Sequence, residues 1–198
     1  MLLETIKSKI GKLTGLGHPS PEQLGAALRN RKANTVMLAD DGLIPNNPKL
    51  PLILYRSVVS LKGSFDPAAL FEDLFEINGW AGGWRDGIYD FLHYHSQTHE
   101  VLGIARGTAL VEFGGPNGKR IAVKPGDIVV LPAGTGHRRL EKSDDLLVVG
   151  AYPETGRYDE LRASKEEHDR AVLAIPKVPR PKSDPVFGKN GPLLQLWS

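Results

Sequence analysis

Four residues have the types and spacing to hold a metal ion: His93, His95, Glu100 and His137. The first three stand in GIYDFLHYHSQTHEVLGIARG and the fourth in GDIVVLPAGTGHRRL. Side chains alternate faces along an extended strand, so His93 and His95 point the same way, one pleat apart. Glu100 comes far enough along for the chain to turn and offer a carboxylate from a neighbouring strand. His137 follows a Pro-Ala-Gly-Thr-Gly turn, which ends one strand and aims the next residue inward. Three imidazoles and one carboxylate make a mixed nitrogen and oxygen set for one divalent metal ion, and iron, manganese, nickel, zinc and copper all suit it. An octahedral ion held this way keeps two positions for substrate, water or dioxygen.

The chain has no cysteine, so disulfides, thiolate zinc sites and a cysteine nucleophile are excluded. Its 198 residues fit one ordinary domain. A hydrophobic fraction of 40% and a charged fraction of 24% are those of a soluble globular protein. A net charge of only +2 gives no reason to expect nucleic acid or an anionic membrane as a partner. The N-terminus MLLETIKSKIGKL lacks the apolar core of a secretory signal, and no apolar run reaches membrane-spanning length, so the expected location is cytoplasmic.

The elements that must position the four residues are short strands. From Ile88 to Tyr152, apolar runs (IYDFLHYH, EVLGIA, TALVEF, RIAVK, DIVVLP, DLLVVGAY) alternate with Gly, Pro, Asn and Asp. That texture predicts an all-β core, a small antiparallel β-barrel or sandwich rather than βα units. Residues 50–153 form this core, with one helix near 67–78 that starts at Asp66-Pro67 and ends at Asn78-Gly79. Residues 1–49 form an N-terminal extension: an amphipathic helix over 2–13, a second helix from Ser20-Pro21, a strand at Thr35–Leu38, and a Pro-rich arm that feeds an edge strand. Residues 154–198 hold a helix from Ser164 to about Leu173 and a Pro-rich tail. The tail is expected to pack as an arm anchored by Phe187, Leu194 and Trp197, although extended Pro-rich segments also suit SH3-type grooves.

The two motifs, Gly87-x5-His93-x-His95-x4-Glu100-x6-Gly107 and Gly126-x5-Pro132-x-Gly134-x2-His137, resemble both conserved motifs of the cupin superfamily. One departure is Glu141, where that superfamily usually has Asn; it touches no metal ligand but puts the usual strand-end packing in doubt. With NPKLPLILY, NGWAGGWRDGIYDF, SDDLLVVGAYP and the DPVFG…GPL tail, the chain is similar to the YjlB-type cupins, a group with no settled activity. The resemblance implies a jelly-roll (double-stranded β-helix) fold and a central metal on His93, His95, Glu100 and His137. It further implies a metal-dependent enzyme acting on a small organic molecule, of dioxygenase, decarboxylase or isomerase type. The rival is a non-catalytic cupin whose metal captures a small ligand. A homodimer is expected, and the Pro-rich arms are candidates for exchange between its subunits.

No secure proton-transfer group accompanies the four ligands. Tyr89 and Phe91 share parity with His93, so Tyr89 is a candidate for a substrate-contacting hydroxyl. His99, beside Glu100, should face away and be structural; a bulge at the strand start would turn it inward as an acid–base group. GGWRDG reads as a loop at the barrel mouth, with Arg85 exposed beside a packed Trp84 or able to clamp a carboxylate. Arg138 or Arg139 faces inward if the strand after His137 stays regular. His18 and His168 read as surface residues.

Overall fold

A computed structural model describes Ile6 and residues 17–198; the helix expected over 2–13 therefore lies outside the described residues, apart from Ile6. Helix α1 (Pro21–Ala27) starts where the sequence places it. Ser20 accepts from the Gln23 N–H at 3.2 Å, and Gln23 accepts from the Ser20 N–H at 2.8 Å. This reciprocal cap satisfies two N–H groups that the first turn leaves free.

The strands are β1 (Ala33–Val36), β2 (Leu52–Tyr55), β3 (Trp80–Asp86), β4 (His93–Tyr94), β5 (Glu100–Arg106), β6 (Ala109–Phe113), β7 (Lys119–Val123), β8 (Ile128–Leu131), β9 (His137–Lys142), β10 (Leu147–Pro153) and β11 (Leu161–Arg162). They form two antiparallel sheets, in the orders β1-β2-β8-β5-β10-β3 and β11-β4-β9-β6-β7. The architecture is a two-layer jelly roll whose sheets are not joined into a closed barrel. Leu52, Leu102, Val129, Leu131 and Val148 of the first sheet meet Val111, Phe113 and Val123 of the second. On the outer face of the first sheet, helix α2 (Pro67–Ile77) presses Phe71, Leu74 and Phe75 onto Ile53, Val101, Val130 and Val149. Burial on both faces explains why LILY and IVVL are continuous apolar runs rather than alternating ones. Gly103 marks the closest approach, since a Cβ there would lie 2.4 Å from the Phe71 ring.

Two strand expectations are corrected. The LILY strand, β2, is interior rather than an edge, because its prolines all precede the ladder and leave every one of its N–H groups available. WAGGWRD is edge strand β3 rather than a loop; at an edge, two glycines cost pairing on one side only. Arg85 moves with it. Its guanidinium is buried, forked onto Glu72 at 2.9 and 2.8 Å, and bonded to Asp66 at 2.8 Å. It therefore neither sits in an exposed turn nor clamps a substrate at the mouth. Asp66 also caps α2 by accepting from the Ala68 N–H.

Helix α3 (Lys165–Ala174) starts at Ser164, whose hydroxyl accepts from the Glu167 N–H. Glu167 reaches past the cap to the Arg162 N–H at 2.7 Å and so ties the helix to β11. The Pro-rich tail packs as an arm. Asp184 accepts from the Val186, Phe187 and Leu193 N–H groups and from the Tyr55 hydroxyl. Beyond it, helix α4 (Leu193–Leu196) delivers Trp197 into the core, where its indole N–H donates to the Pro51 carbonyl at 2.9 Å. Neither His18 nor His168 is a free surface residue: His18 pairs with Asp73 at 2.7 Å and His168 with Asp40 at 2.9 Å. Both partners lie far away in sequence, which is why no local pattern announced them.

Candidate metal centre

The four sequence-predicted residues converge between the sheets, and each comes from a strand end. His93 opens β4 and stands directly opposite His137, which opens β9. His95 follows β4, and Glu100 opens β5 in the facing sheet. The turn before His137 is held by Gly134 at φ +93°, whose N–H donates to the His95 carbonyl at 2.7 Å. Asn46 accepts from the Gly136 N–H at 3.2 Å. A side chain at Gly134 would meet both a left-handed backbone and the Asn46 carbonyl.

All four side chains are buried. Each imidazole places Nδ1 against a backbone carbonyl: His93 on Phe91 at 3.2 Å, His137 on Thr135 at 3.1 Å, and His95 on Asp159. A carbonyl only accepts, so each Nδ1 carries a proton and each Nε2 is the nitrogen left to face inward. One ring nitrogen from each histidine lies within 4.8 Å of the others. Glu100 Oε2 lies 3.5 Å from His95 Nε2 and 3.3 Å from His137 Nε2, yet this buried oxygen has no hydrogen-bond partner. Ligands about 2.1 Å from a shared ion stand roughly 3 to 4 Å apart, so the spacing and the orphaned carboxylate oxygen both fit a divalent cation.

Burial, and then the neighbouring imidazoles, push His93 down to about 3, so it is neutral at physiological pH. For His95, burial opposes charge, but the Glu100 carboxylate prevails and raises it to about 9. Burial would lift Glu100, but the two histidines hold it well below the usual carboxylate range.

His99 turns away from the centre, as alternation predicts, with no bulge to redirect it. Its Nδ1 accepts from the Ala133 N–H at 3.0 Å and its ring packs on Trp197 at 4.8 Å. Burial depresses it to about 4. The stability tied to a neutral His99 is therefore complete above pH 6.5 and falls away as the pH drops toward 4. The loss should reach roughly 3 kcal/mol from this residue. His99→Gln, which keeps an acceptor for Ala133, should flatten that acid limb in urea melts run from pH 7 to pH 4.

Tyr89 sits at the rim, 45% exposed, stacked on Phe91 at 4.5 Å and edge-on to His93 at 5.2 Å. Arg162 lies 3.6 Å above Phe91 and pairs with Glu160. Arg138 and Arg139 do not enter the centre; a register shift in the β6–β9 ladder accompanies their pairing with Glu112 and with Asp90 and the Ile88 carbonyl. Glu141, at the departure from the superfamily pattern, is exposed on β9.

Three residues at the centre escaped sequence reasoning. Tyr158 packs on His95 at 5.1 Å, and Tyr152 lies 5.9 Å from the same ring, with its oxygen accepting from the Trp84 indole. Asp159 does most: its carbonyl accepts from the His95 Nδ1–H, and its carboxylate accepts from the Ser96 N–H and hydroxyl and the Gln97 N–H. Asp159→Ala keeps that carbonyl but frees it from the Ser96 and Gln97 anchors, so metal binding should weaken by up to about 10-fold, less than when a group bonded to a ligating histidine is itself removed. Competition with a chromogenic chelator checks this.

Fold and site together are those of a cupin. No protein-family model matches the chain. The uncharacterized protein YjlB of Bacillus subtilis (strain 168) is 40% identical over 167 residues, covering 84% of this chain and 98% of that protein. The chain belongs to the YjlB family of cupins. Among solved structures, a DUF861-family protein from Thermotoga maritima is 25% identical, with 40% of this chain and 86% of that one covered, at a TM-score of 0.28. Acireductone dioxygenase from Bacillus anthracis, with cadmium in its active centre, is 18% identical over 44% of this chain and 62% of its own, at 0.32. An oxalate decarboxylase variant from Bacillus subtilis is 17% identical over 59% and 29%, at 0.35. At such TM-scores these likenesses say nothing about chemistry.

Proposed function

We propose that this protein is a metal-dependent enzyme acting on a small organic molecule, with the ion held by His93, His95, Glu100 and His137. One observation carries the reading: three imidazoles pinned through Nδ1 present Nε2 beside a buried carboxylate oxygen that makes no hydrogen bond. A bound ion supplies Lewis acidity, and iron, manganese or copper would add redox chemistry.

The chain's own residues set what can reach the ion. Tyr89, Phe91 and Tyr158 wall the approach with rings, favouring a ligand with a flat apolar face. Burial, then Glu100, hold Tyr152 above the ordinary phenol range, so it keeps its proton and acts as a donor beside the centre. Burial and then Glu160 push Tyr158 up to about 12, and its hydroxyl lies 3.1 Å from Glu160. Both tyrosines thus give hydrogen bonds at neutral pH and take no protons.

That last point favours a second reading, a binding cupin without turnover, because His99 also faces elsewhere and no other base stands at the centre among the described residues. Incubating metal-loaded protein with ring-bearing and aliphatic oxygen chelators separates the two. A change in ligand mass, with or without oxygen uptake, supports the enzyme. Thermal stabilisation that grows with ligand concentration while every ligand is recovered intact supports the binding protein.

A further inference from the structure

Strand β1 ends the six-stranded sheet, and among the described residues no strand pairs with its outer edge. Asn34 and Thr35 on it are exposed. An open edge offers unpaired N–H and C=O groups, and natural edges are commonly guarded by charge. Here the guards differ in sign at the two ends: Arg29, Arg31 and Lys32 precede the strand, and Asp40 and Asp41 follow it. Guards of one sign would repel a second copy. Guards of opposite sign do the reverse, because a copy running antiparallel lays its basic start against the acidic end of the first, and the two-fold axis repeats the match.

A second feature lies at the acidic end. A groove of about 420 Å³ runs between the chain after β1 and helix α3, lined by Met37, Leu38, Pro45, Val172 and Ile175. Met37 is 54% exposed and Val172 42% exposed, with Leu173 open beside them.

We infer that β1 is the two-fold contact of a homodimer, in which two six-stranded sheets join edge to edge. The partner's basic start covers the groove, its aliphatic stems on Met37 and Val172 and its charged heads toward Asp40. Asp41 is engaged by the Leu43 and Ile44 N–H groups and Asp40 by the Gly42 N–H, and Asp40, exposed at the groove, is the acid that meets the partner. Asp40 already pairs with His168, and a carboxylate has acceptor sites for both.

Sedimentation equilibrium on the full chain tests this. The parent protein should approach twice the 21.6 kDa chain mass. The double variant Arg31→Glu with Lys32→Glu, and separately Asp40→Lys, each set like charges across the axis, and each should raise the dimer dissociation constant at least ~10-fold. Mixing the two variants should restore the dimer, since the mixed pair has opposite charges at both ends. Met37→Asp, at an exposed position, gives a second route to the same loss if a charge variant fails to fold. A parent that stays monomeric from ~1 to ~100 µM, variants that dimerise like the parent, or a mixture that does not recover would each overturn the inference.

Discussion

Metal should be lost from His95→Ala and from His137→Ala while the jelly roll stays folded, and Glu100→Gln should bind at least ~100-fold more weakly. Each histidine supplies one of three converging nitrogens, and Glu100 supplies the only negative charge among the four. Elemental analysis of protein purified without chelators reads the loss directly, with circular dichroism reporting the fold. The pH dependence has a definite sign. In the metal-free protein His95 keeps a proton on Nε2 up to about pH 9, because Glu100 outweighs burial. Metal must displace that proton, so affinity should rise about tenfold per pH unit below 9 and level off above it. His93, already neutral well above pH 3, adds nothing to the slope. Titration calorimetry in two buffers of different ionisation enthalpy should show at least one proton released at pH 7.5. No release, or a parent protein that takes up no metal, would remove the four-ligand reading.

Arg85→Met should destabilise the protein by about 3 to 5 kcal/mol without touching metal content. The guanidinium is 1% exposed, and its loss would remove the two-pronged partner of Glu72, whose side chain is 4% exposed. Asp66 would lose a partner as well, at the residue that caps α2. Burial works against charge on Arg85, yet its hydrogen bonds to Glu72 and Asp66 raise it further, the mark of a satisfied buried cation. Pairing Arg85→Met with Glu72→Met should recover part of the loss, because two apolar side chains of similar length need no counter-charge. Urea midpoints of the two variants and the parent decide it. A single variant that costs under about 1 kcal/mol would mean that water reaches Glu72 and screens it.

The centre was far more legible than its supports. His93, His95, Glu100 and His137 announce themselves because a strand fixes parity and a Pro-Gly turn fixes direction, both over a few residues. Asp159 could not be found that way. It lies 64 positions after His95, in a segment without periodicity, and only the packing of β11 on β4 brings it back. Arg85 was misread for a related reason: glycines on both sides suggest a loop, whereas the strand is dictated by pairing with β10. The packed arm was legible from its anchors, but the role of Asp184 was not, since Asp in a Pro-rich run looks like any turn residue. Local rules reach local geometry, and the partners of a buried charge are seldom local.

The arm also imposes an order in time. Tyr55 meets Asp184 across 129 positions and Pro51 meets Trp197 across 146. Strand β2 leaves the ribosome well before the tryptophan that packs against its outer face. Closing loops that long is slow, so a nascent chain can assemble both sheets and the four residues of the centre while the part of the larger sheet's outer face beside Tyr55 is still bare. During that interval Tyr55 lacks its contacts with Asp184 and Phe187, and the arm acts as an intramolecular cover whose later arrival ends the period in which the newborn protein is most prone to aggregate.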